Sequence, residues 1–337
     1  MAEDNRKRNR SARGKKKSRK EIDVATELTQ PNRIVKMKNV EFDPIIFQPM
    51  KTGKAIDNIL DQDGGVPRAS NYIVIGDPGI GKSTVTLDII SDLAETGHKV
   101  LFISGEMNRI DLYKYVQRYP KFGDIDILFM NEHLDENPKL VIETQLKEGY
   151  DIVLGDSFVE IQDTVKEALF MTSTATEKWI IDLMISNNMG NNNAKKYTTF
   201  LMIQQVTKGG NFVGSNKLKH NTTGMMEMRW TKSGEAYLEM NKNRRGPVNK
   251  RLYFKLDNPN DVFYDTGRFL MEENNRQMLN SEADELKAES DDFETMFAET
   301  GTNKFIDDVV TNSAEDEMEQ HEQNLENQDT VKEPIAE

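Results

Sequence analysis

The chain has 337 residues, a net charge of −13 and no cysteine. This length is enough for one sizeable folded domain with appendages, and the absence of cysteine excludes disulfides, a thiol nucleophile and cysteine-ligated zinc. The four histidines are scattered, and no apolar run approaches the ~18 residues of a membrane span. We therefore expect a cytoplasmic protein without membrane association.

Charge is concentrated at the two ends of the chain. Residues 1–20 contain ten Lys or Arg against two acids, whereas residues 272–337 contain 21 acids against four bases. Such blocks are typical of flexible arms on a folded core. We predict a disordered basic arm over 1–33, a folded core over 34–270 and an acidic, largely disordered tail over 271–337. The arm could contact nucleic acid, direct localisation or bind the tail, and the tail could recruit protein partners or only solvate.

Short apolar runs alternate with helical patterns along the core. The runs cover residues 72–75, 99–104, 126–130, 150–154 and 198–203, and the helical patterns cover 82–96, 108–118, 137–148 and 160–188. This alternation predicts an α/β fold with a mostly parallel central sheet and helices on both faces. Three later runs, at 225–230, 236–240 and 251–256, predict antiparallel strands that extend the sheet at one edge.

A glycine-rich loop lies between the first run and the first helical pattern. It consists of Gly76, Asp77, Pro78, Gly79, Ile80, Gly81, Lys82, Ser83 and Thr84. Glycines let several backbone N–H groups converge, and the following helix directs its positive end to the same point. Lys82 adds a charge for the β- and γ-phosphates, and Ser83 offers a hydroxyl to Mg²⁺. The pattern predicts a phosphate-binding loop, with a chance glycine-rich turn as the alternative.

Two acids follow neighbouring runs of the predicted sheet. Strand carboxyl ends converge on the ligand crevice of an open α/β sheet. Asp156, after the 150–154 run, can hold the hydration shell of Mg²⁺ or be an ordinary turn residue. Glu106, after the 99–104 run, can orient or deprotonate an attacking water. The alternative role for Glu106 is that of an acid at the start of a helix.

Polar and basic residues continue beyond the fifth run. Gln204 and Gln205 end it, where an amide can sense a γ-phosphate. The stretch 207–224 is rich in Gly, Asn and Lys and suits a nucleic-acid backbone, or is a plain surface loop. Lys242 and Arg244 lie between two late runs and could reach the phosphates of a neighbouring subunit, as an arginine finger does, or belong to a solvated hairpin.

From about Thr52 to Leu256 the chain resembles the ATPase core of bacterial RadA, also called Sms, in the RecA superfamily that includes DnaB-type helicases. The resemblance is most specific in four segments, which are 75–84, 100–106, 205–208 and 242–247. Gln205 stands where RadA usually has a histidine before Val-Thr-Lys. Arg245 replaces the phenylalanine of the Lys-Asn-Arg-Phe-Gly-Pro motif.

The resemblance implies a DNA-dependent ATPase that uses ATP and Mg²⁺ in recombination and repair. It implies binding to single-stranded or branched DNA as a homo-oligomer, either a hexameric ring or a filament, with the stretches 157–178 and 207–224 facing DNA. The roles it implies are water activation by Glu106, Mg²⁺ binding by Ser83 and Asp156, γ-phosphate sensing by Gln205, and contact with the next subunit's ATP by Lys242 and Arg244.

The chain also departs from the RadA pattern. RadA proteins carry a four-cysteine zinc module and a Lon-like domain, where this chain has a basic arm and an acidic tail. Two other functions stay open. One is a replicative helicase of the DnaB type, although its N-terminal helical domain is not expected here. The other is a slowly hydrolysing, nucleotide-dependent DNA-binding or regulatory protein.

Overall fold

The computed structural model describes residues 36–133, 135–205, 216–258 and 260–299. The chain divides into two compact units, residues 1–46 and 47–337. The described part of the first unit forms a 3₁₀ helix, Met37–Asn39, and begins another, Pro44–Phe47. The predicted arm and the part of the predicted tail beyond residue 299 lie outside the described residues, so the predicted domain boundaries stay predictions.

The second unit is built on one sheet. Its strands are β1 Asn71–Gly76, β2 Val100–Ser104, β3 Asp126–Phe129, β4 Ile152–Asp156, β5 Thr199–Ile203, β6 Gly224–Trp230, β7 Ala236–Asn243, β8 Arg251–Lys255 and β9 Phe263–Tyr264. In the described part of the chain their order is β3-β2-β4-β5-β1-β6-β7-β8-β9. Neighbours from β3 to β6 pair in parallel, and those from β6 to β9 pair antiparallel. The predicted fold class is confirmed.

Eight α-helices accompany the sheet within the described residues. They are α1 Asp57–Leu60, α2 Lys82–Glu95, α3 Arg109–Arg118, α4 Pro138–Lys147, α5 Phe158–Ala168, α6 Ser173–Asn188, α7 Asn216–Asn221 and α8 Thr266–Glu299. Two 3₁₀ helices, Pro120–Asp124 and Met130–Glu132, flank β3. Of the helices described, none is both long enough and apolar enough to cross a membrane.

The hydrophobic core lies on both faces of the sheet because strand side chains alternate in direction. Tyr72 and Val74 of β1 belong to a buried cluster that includes the apolar side chains of α2. Ile73 and Ile75 belong to a second cluster that includes those of α4, α5 and α6. Since every residue of β1 is buried, the strand reads as a continuous apolar run in the sequence, as expected for a parallel strand covered on both sides.

The parallel register brings the carboxyl ends of four strands to one edge of the sheet. Ser104 of β2 is level with Asp156 of β4, and Leu154 of β4 is level with Leu201 of β5. Ile203 of β5 is in turn level with Val74 of β1. The residues that directly follow these strands are therefore neighbours in space, as the sequence analysis requires for a ligand site.

The late strands differ in part from the prediction. β6 was expected among the antiparallel strands, but it pairs in parallel with β1, with Met228 level with Gly76. The connection between β5 and β6, which contains α7, is long enough for a parallel crossover. The antiparallel part starts with the tight turn between β6 and β7. The two-residue strand β9 is too short to give a sequence pattern.

Two helical segments also differ from the prediction. The single helical region expected over 160–188 is two helices, separated at Leu169–Thr172, where Phe170 has a φ of 51°. The acidic tail, expected to be largely disordered from residue 271, is helical as far as Glu299. Most side chains between 270 and 288 are exposed, so this part of α8 gives no amphipathic pattern. Its many Glu, Leu, Met and Ala residues are nevertheless strong helix formers.

Candidate active site

The glycine-rich loop connects β1 to α2 in the predicted strand–loop–helix order. Gly81 precedes α2 with a φ of 98°, a left-handed conformation that favours glycine. A Cβ at Gly81 would lie 2.2 Å from Cδ1 of Leu256, and one at Gly76 would lie 2.3 Å from the carbonyl oxygen of Met228. The backbone of the adjacent strand β6 therefore packs against Gly76, and the Leu256 side chain packs against Gly81, so neither position leaves room for a Cβ.

Lys82 closes the loop from within. Its Nζ donates hydrogen bonds to the carbonyl oxygens of Gly76 at 3.0 Å and Asp77 at 3.1 Å. Burial lowers the pKa of the Lys82 amine, whereas the carboxylates of Asp156 and Glu106 act in the opposite direction. The ammonium thus lies at the mouth of the loop, held by weak carbonyl acceptors that phosphate oxygens can replace.

Ser83 and Asp156 form a direct contact across the sheet edge. The Ser83 hydroxyl donates to Oδ2 of Asp156 at 2.5 Å, and Asp156 is only 2% exposed. Burial raises the pKa of Asp156 to about 6, with a further increase from Glu106 and opposing effects from Ser83 and Lys82. A buried carboxylate and a hydroxyl at this spacing are oxygen ligands of the kind that Mg²⁺ takes. The two predicted metal-binding residues fit that ion.

Glu106 is held in a short turn beyond β2. The backbone N–H groups of Gly105 and Glu106 donate to the carbonyl oxygen of Asp156 at 2.7 and 3.3 Å. Ser104 Oγ accepts from Met107 N at 3.1 Å and donates to its carbonyl at 3.0 Å. The carboxylate of Glu106 is exposed, so it faces solvent beside the loop.

The structure rejects the helix-start alternative for Glu106. α3 begins at Arg109, and its N-cap is Asn108, which forms a capping box with Asp111. Glu106 lies outside this cap and bonds to neither residue through any contact described. Its position is set by the hydrogen bonds to the carbonyl of Asp156 at the end of β4, and not by capping of α3.

Gln205 contacts Glu106 from the end of β5. Its Nε2 donates to Oε1 of Glu106 at 3.3 Å. The preceding residue, Gln204, is buried, and its N–H donates to the carbonyl of Val74 at 2.9 Å. Gln205 is therefore anchored through the backbone to β1, the strand that carries the glycine-rich loop.

Negative charge prevails around the loop. Asp77, Glu106 and Asp156 all act on Lys82, and Glu160 in the first turn of α5 adds a fourth acid. Burial and the charge of Glu106 raise the pKa of Glu160. Glu160 was not among the residues predicted from the sequence, although it stands four residues after Asp156 in a helix that starts at this edge. A site with one lysine and four acids suits a cation bound together with a polyphosphate.

Lys242 and Arg244 lie elsewhere. The Nζ of Lys242 donates to the carbonyl oxygens of Lys219 and Thr222, both at 2.7 Å. Arg244 Nη2 donates to the carbonyl of His220 at 3.0 Å. Both side chains thus bind the end of α7, and the structure does not bring them to the loop of their own chain.

A cluster of largely buried ion pairs is formed by two acids of α2 and residues that pack against this helix. Asp88 and Asp92 project from α2 toward Asp261, and their carboxylates lie close enough together to hold a metal. Lys54 Nζ is 2.8 Å from Asp88 and 2.8 Å from Asp92, and Lys121 Nζ is 2.6 Å from Asp92. The two ammonium groups neutralise part of the negative charge of the three carboxylates. The signal in the sequence is a pair of acids four residues apart in a helix that also carries several apolar residues.

The arrangement defines a class of site. A glycine-rich loop at a helix start binds phosphates, Ser83 and Asp156 offer metal ligands, and Glu106 with Gln205 lies where a water could be oriented. Within the described residues, the structure brings together Lys82, Ser83, Glu106, Asp156 and Gln205. These are the features of a P-loop nucleotide site at the strand ends of an open α/β sheet.

Known proteins match this chain in sequence. Residues 50–143 match the family described as "ATPase: KaiC". The chain is 28% identical over 246 residues to DNA repair protein RadA of Campylobacter jejuni, covering 70% of this chain and 51% of that protein. It is 30% identical over 217 residues to DNA repair protein RadA of Chlamydia trachomatis, covering 62% of this chain and 44% of that protein. The chain spans about half the length of the curated relatives it matches.

Two solved structures are also similar to the chain. A KaiC-like protein from Pyrococcus horikoshii OT3 has 18% identity, covers 64% of this chain and 98% of its own, and gives a TM-score of 0.47. Flagellar accessory protein FlaH from Methanocaldococcus jannaschii has 12% identity, covers 60% and 92%, and also gives 0.47.

Residues 50–143 are similar to the KaiC family of ATPases. Bacterial RadA proteins are homologues of the chain, at a distant level of identity. The resemblance to RadA found in the motifs is thereby confirmed.

Proposed function

We propose that the protein is a DNA-dependent ATPase of the RadA/RecA type that acts in recombination and repair. The contact of Gln205 with Glu106 beside the Ser83–Asp156 pair is the observation that carries the proposal. It gathers a phosphate loop, a metal-binding pair and a candidate water-activating acid at one edge of the sheet. The names of the RadA relatives support a role in DNA repair.

The proposed roles follow from position and chemistry. The N–H groups of the loop from Gly76 to Thr84 and the ammonium of Lys82 bind the phosphates of ATP. Ser83 and Asp156 hold Mg²⁺, which when bound neutralises phosphate charge. Glu106 accepts the proton of the attacking water, and Gln205 keeps its carboxylate in place.

The site is proposed to be completed by a second copy. Lys242 and Arg244 are two cations close in sequence on a strand end, where they can meet the γ-phosphate of a neighbour in a ring or filament. Neither side chain has a role at the loop of its own chain, because both bind α7. This supports an ATP-bridged homo-oligomer.

Charge favours one of the two stretches expected to face DNA. Residues 207–215 of the stretch 207–224 lie outside the described residues, and the remainder contains α7, with Lys219 and His220 exposed. The other stretch, 157–178, is largely α5 and the start of α6, in which acids outnumber Lys166 and Lys178. We therefore propose that single-stranded DNA contacts the protein mainly through 207–224, since phosphate binding requires basic groups.

The test is an ATPase assay with and without single-stranded DNA. We expect DNA to stimulate turnover and Lys82→Ala to abolish it. An unstimulated rate would contradict the DNA dependence. Tight ATP binding with negligible turnover would instead identify a nucleotide-dependent regulatory protein, and directional strand displacement would identify a helicase of the DnaB type.

A further inference from the structure

Lys242 and Arg244 bind the end of α7, where backbone carbonyl oxygens are available as hydrogen-bond acceptors. The last carbonyl groups of a helix have no partner within the helix and carry its partial negative charge. α7 ends at Asn221, and the carbonyls that accept from these two side chains belong to Lys219, His220 and Thr222. The two cations therefore act as the C-terminal cap of α7.

This cap holds two positive groups close together. Burial lowers the pKa of the Lys242 amine, and the nearby charges of Arg244 and Lys219 lower it further. Carbonyl oxygens offset that repulsion only in part, because they carry a partial negative charge, whereas phosphate oxygens carry a full one. Both cations would bind phosphate oxygens more strongly than they bind the end of α7.

We infer that the end of α7 is a resting site for Lys242 and Arg244, which they leave when a second copy presents the phosphates of its bound ATP. This inference rests on the proposed function, since it takes the phosphates to be those of a neighbour's nucleotide. Assembly on ATP then removes the cap and loosens α7. Because α7 lies within the stretch 207–224, the exchange links nucleotide contact to the proposed DNA-facing surface.

The link works in both directions. If ATP-bridged assembly frees the end of α7, then a ligand that draws α7 away from Lys242 and Arg244 favours ATP-bridged assembly. The coupling free energy is the same in both directions. DNA bound at 207–224 would accordingly favour the ATP-bridged oligomer. A cap that served only to stabilise α7 would give no such coupling.

The cysteine-free chain allows a direct test with single spin labels. Lys219 is exposed, and Lys219→Cys keeps the carbonyl that accepts from Lys242. Lys147→Cys, on the last turn of α4, is the matched control, because it replaces another exposed lysine at a helix end. Label mobility is measured by electron paramagnetic resonance on the chain alone and with Mg²⁺ and a non-hydrolysable ATP analogue, with assembly followed by sedimentation.

We expect the analogue to raise the mobile fraction at 219 by about twofold or more and to leave 147 unchanged. A label at 219 in a Lys242→Gln, Arg244→Gln background should be mobile without the analogue and give no further response. Lys242→Arg should keep the response. In the unsubstituted chain, hydrogen exchange of the amides of residues 216–223 should become faster when the analogue is added.

The outcomes distinguish a failure of the proposed resting site from a failure of the proposed function. Binding and assembly without any change at 219 or in amide exchange overturn the resting site and leave the proposed ATPase intact. A response at 219 that persists in the doubly substituted chain overturns it as well. Failure of the analogue to bind, or of the copies to assemble on it, overturns the proposed function instead.

Discussion

Gln205 donates a 3.3 Å hydrogen bond to Glu106, and this contact joins the ends of β5 and β2 across the intervening strand β4. The carbonyl of Asp156, at the end of β4, accepts from the N–H groups of Gly105 and Glu106. The proposed water-activating acid is therefore held from the ends of β4 and β5. A change at any of these positions should alter hydrolysis more than nucleotide binding.

We predict that Gln205→Ala lowers kcat about tenfold or more while ATP affinity changes little, because Glu106 loses the group that orients it. Glu106→Gln should lower kcat by about 10² or more, since general-base catalysis contributes 10²–10⁴. Steady-state hydrolysis and binding of a fluorescent ATP analogue measure the two quantities. Gln162→Ala, which removes a glutamine bonded to the Ser173 carbonyl between α5 and α6, is the control. Wild-type turnover in Gln205→Ala would rule out the orienting role.

A second prediction concerns the Mg²⁺ requirement. Ser83→Ala removes the hydroxyl that lies 2.5 Å from Asp156 and should raise the Mg²⁺ concentration for half-maximal turnover about tenfold. Ser91→Ala provides the matched control, because Ser91 is also on α2 but donates to the Lys121 carbonyl. A Mg²⁺ titration of hydrolysis at saturating ATP makes the measurement. An equal shift in both variants would mean that the effect is one of helix stability.

How far the sequence predicts this site depends on the range of the interactions. The loop from Gly76 to Thr84 and the strand-end positions of Glu106, Asp156 and Gln205 follow local rules, since parallel strands place their carboxyl ends together. Leu256 beneath Gly81 does not follow from such rules, because the contact joins residues 175 positions apart. The same limit applies to Lys54 and Asp261, whose ion pair depends on where the chain crosses behind α2.

The fold shows the same division. Buried strands and amphipathic helices have a hydrophobic period that is visible in the sequence, so the order of these elements along the chain was predicted. The direction of β6 depends on a crossover rather than on its own residues. Helix α8 forms through intrinsic propensity on a mostly solvent-exposed segment, which gives no periodic signal.

A third prediction concerns stability at the opposite end of β4. Asp151 is buried and accepts from Arg68 Nη1, Lys196 Nζ and Lys99 N, each at 2.9 Å. Burial acts to raise the pKa of Asp151, but these hydrogen bonds outweigh it and hold the pKa below its usual value. Its stabilising contribution is therefore present above the unfolded pKa and is lost as pH falls through the folded pKa.

Asp151→Ala should lower the free energy of unfolding at neutral pH by about 3 kcal/mol, because it leaves the partly buried cation of Arg68 without its acid. Asp182→Asn, in an exposed pair with Lys178, should cost less than about 1 kcal/mol. Urea unfolding followed by circular dichroism compares the two. Equal losses would show that the Asp151 cluster is not the stabilising feature.

The last prediction concerns two acids of the ion cluster beside α2, Asp88 and Asp261, whose pKa values are shifted in opposite directions. Burial raises the pKa of Asp88 to about 6, with a further increase from Asp92, against the attraction of Lys54 and Lys121. For Asp261 burial acts to raise the pKa, but hydrogen bonds from Lys121 and Lys54 hold it well below its usual value. The two acids therefore contribute to stability with opposite dependence on pH.

For Asp88 the sign follows from proton uptake. Between the unfolded pKa near 4 and the folded pKa near 6 the folded state holds the proton more tightly, so the Asp88 contribution to stability falls as pH rises through this window. The unfolding free energy of the wild-type chain minus that of Asp88→Asn should therefore fall by on the order of 3 kcal/mol between pH 4 and pH 7. Urea titrations of both proteins at half-unit pH steps give this difference directly. A difference that stays level or rises with pH would mean that Lys54 and Lys121 outweigh burial, and that Asp88 is ionised throughout.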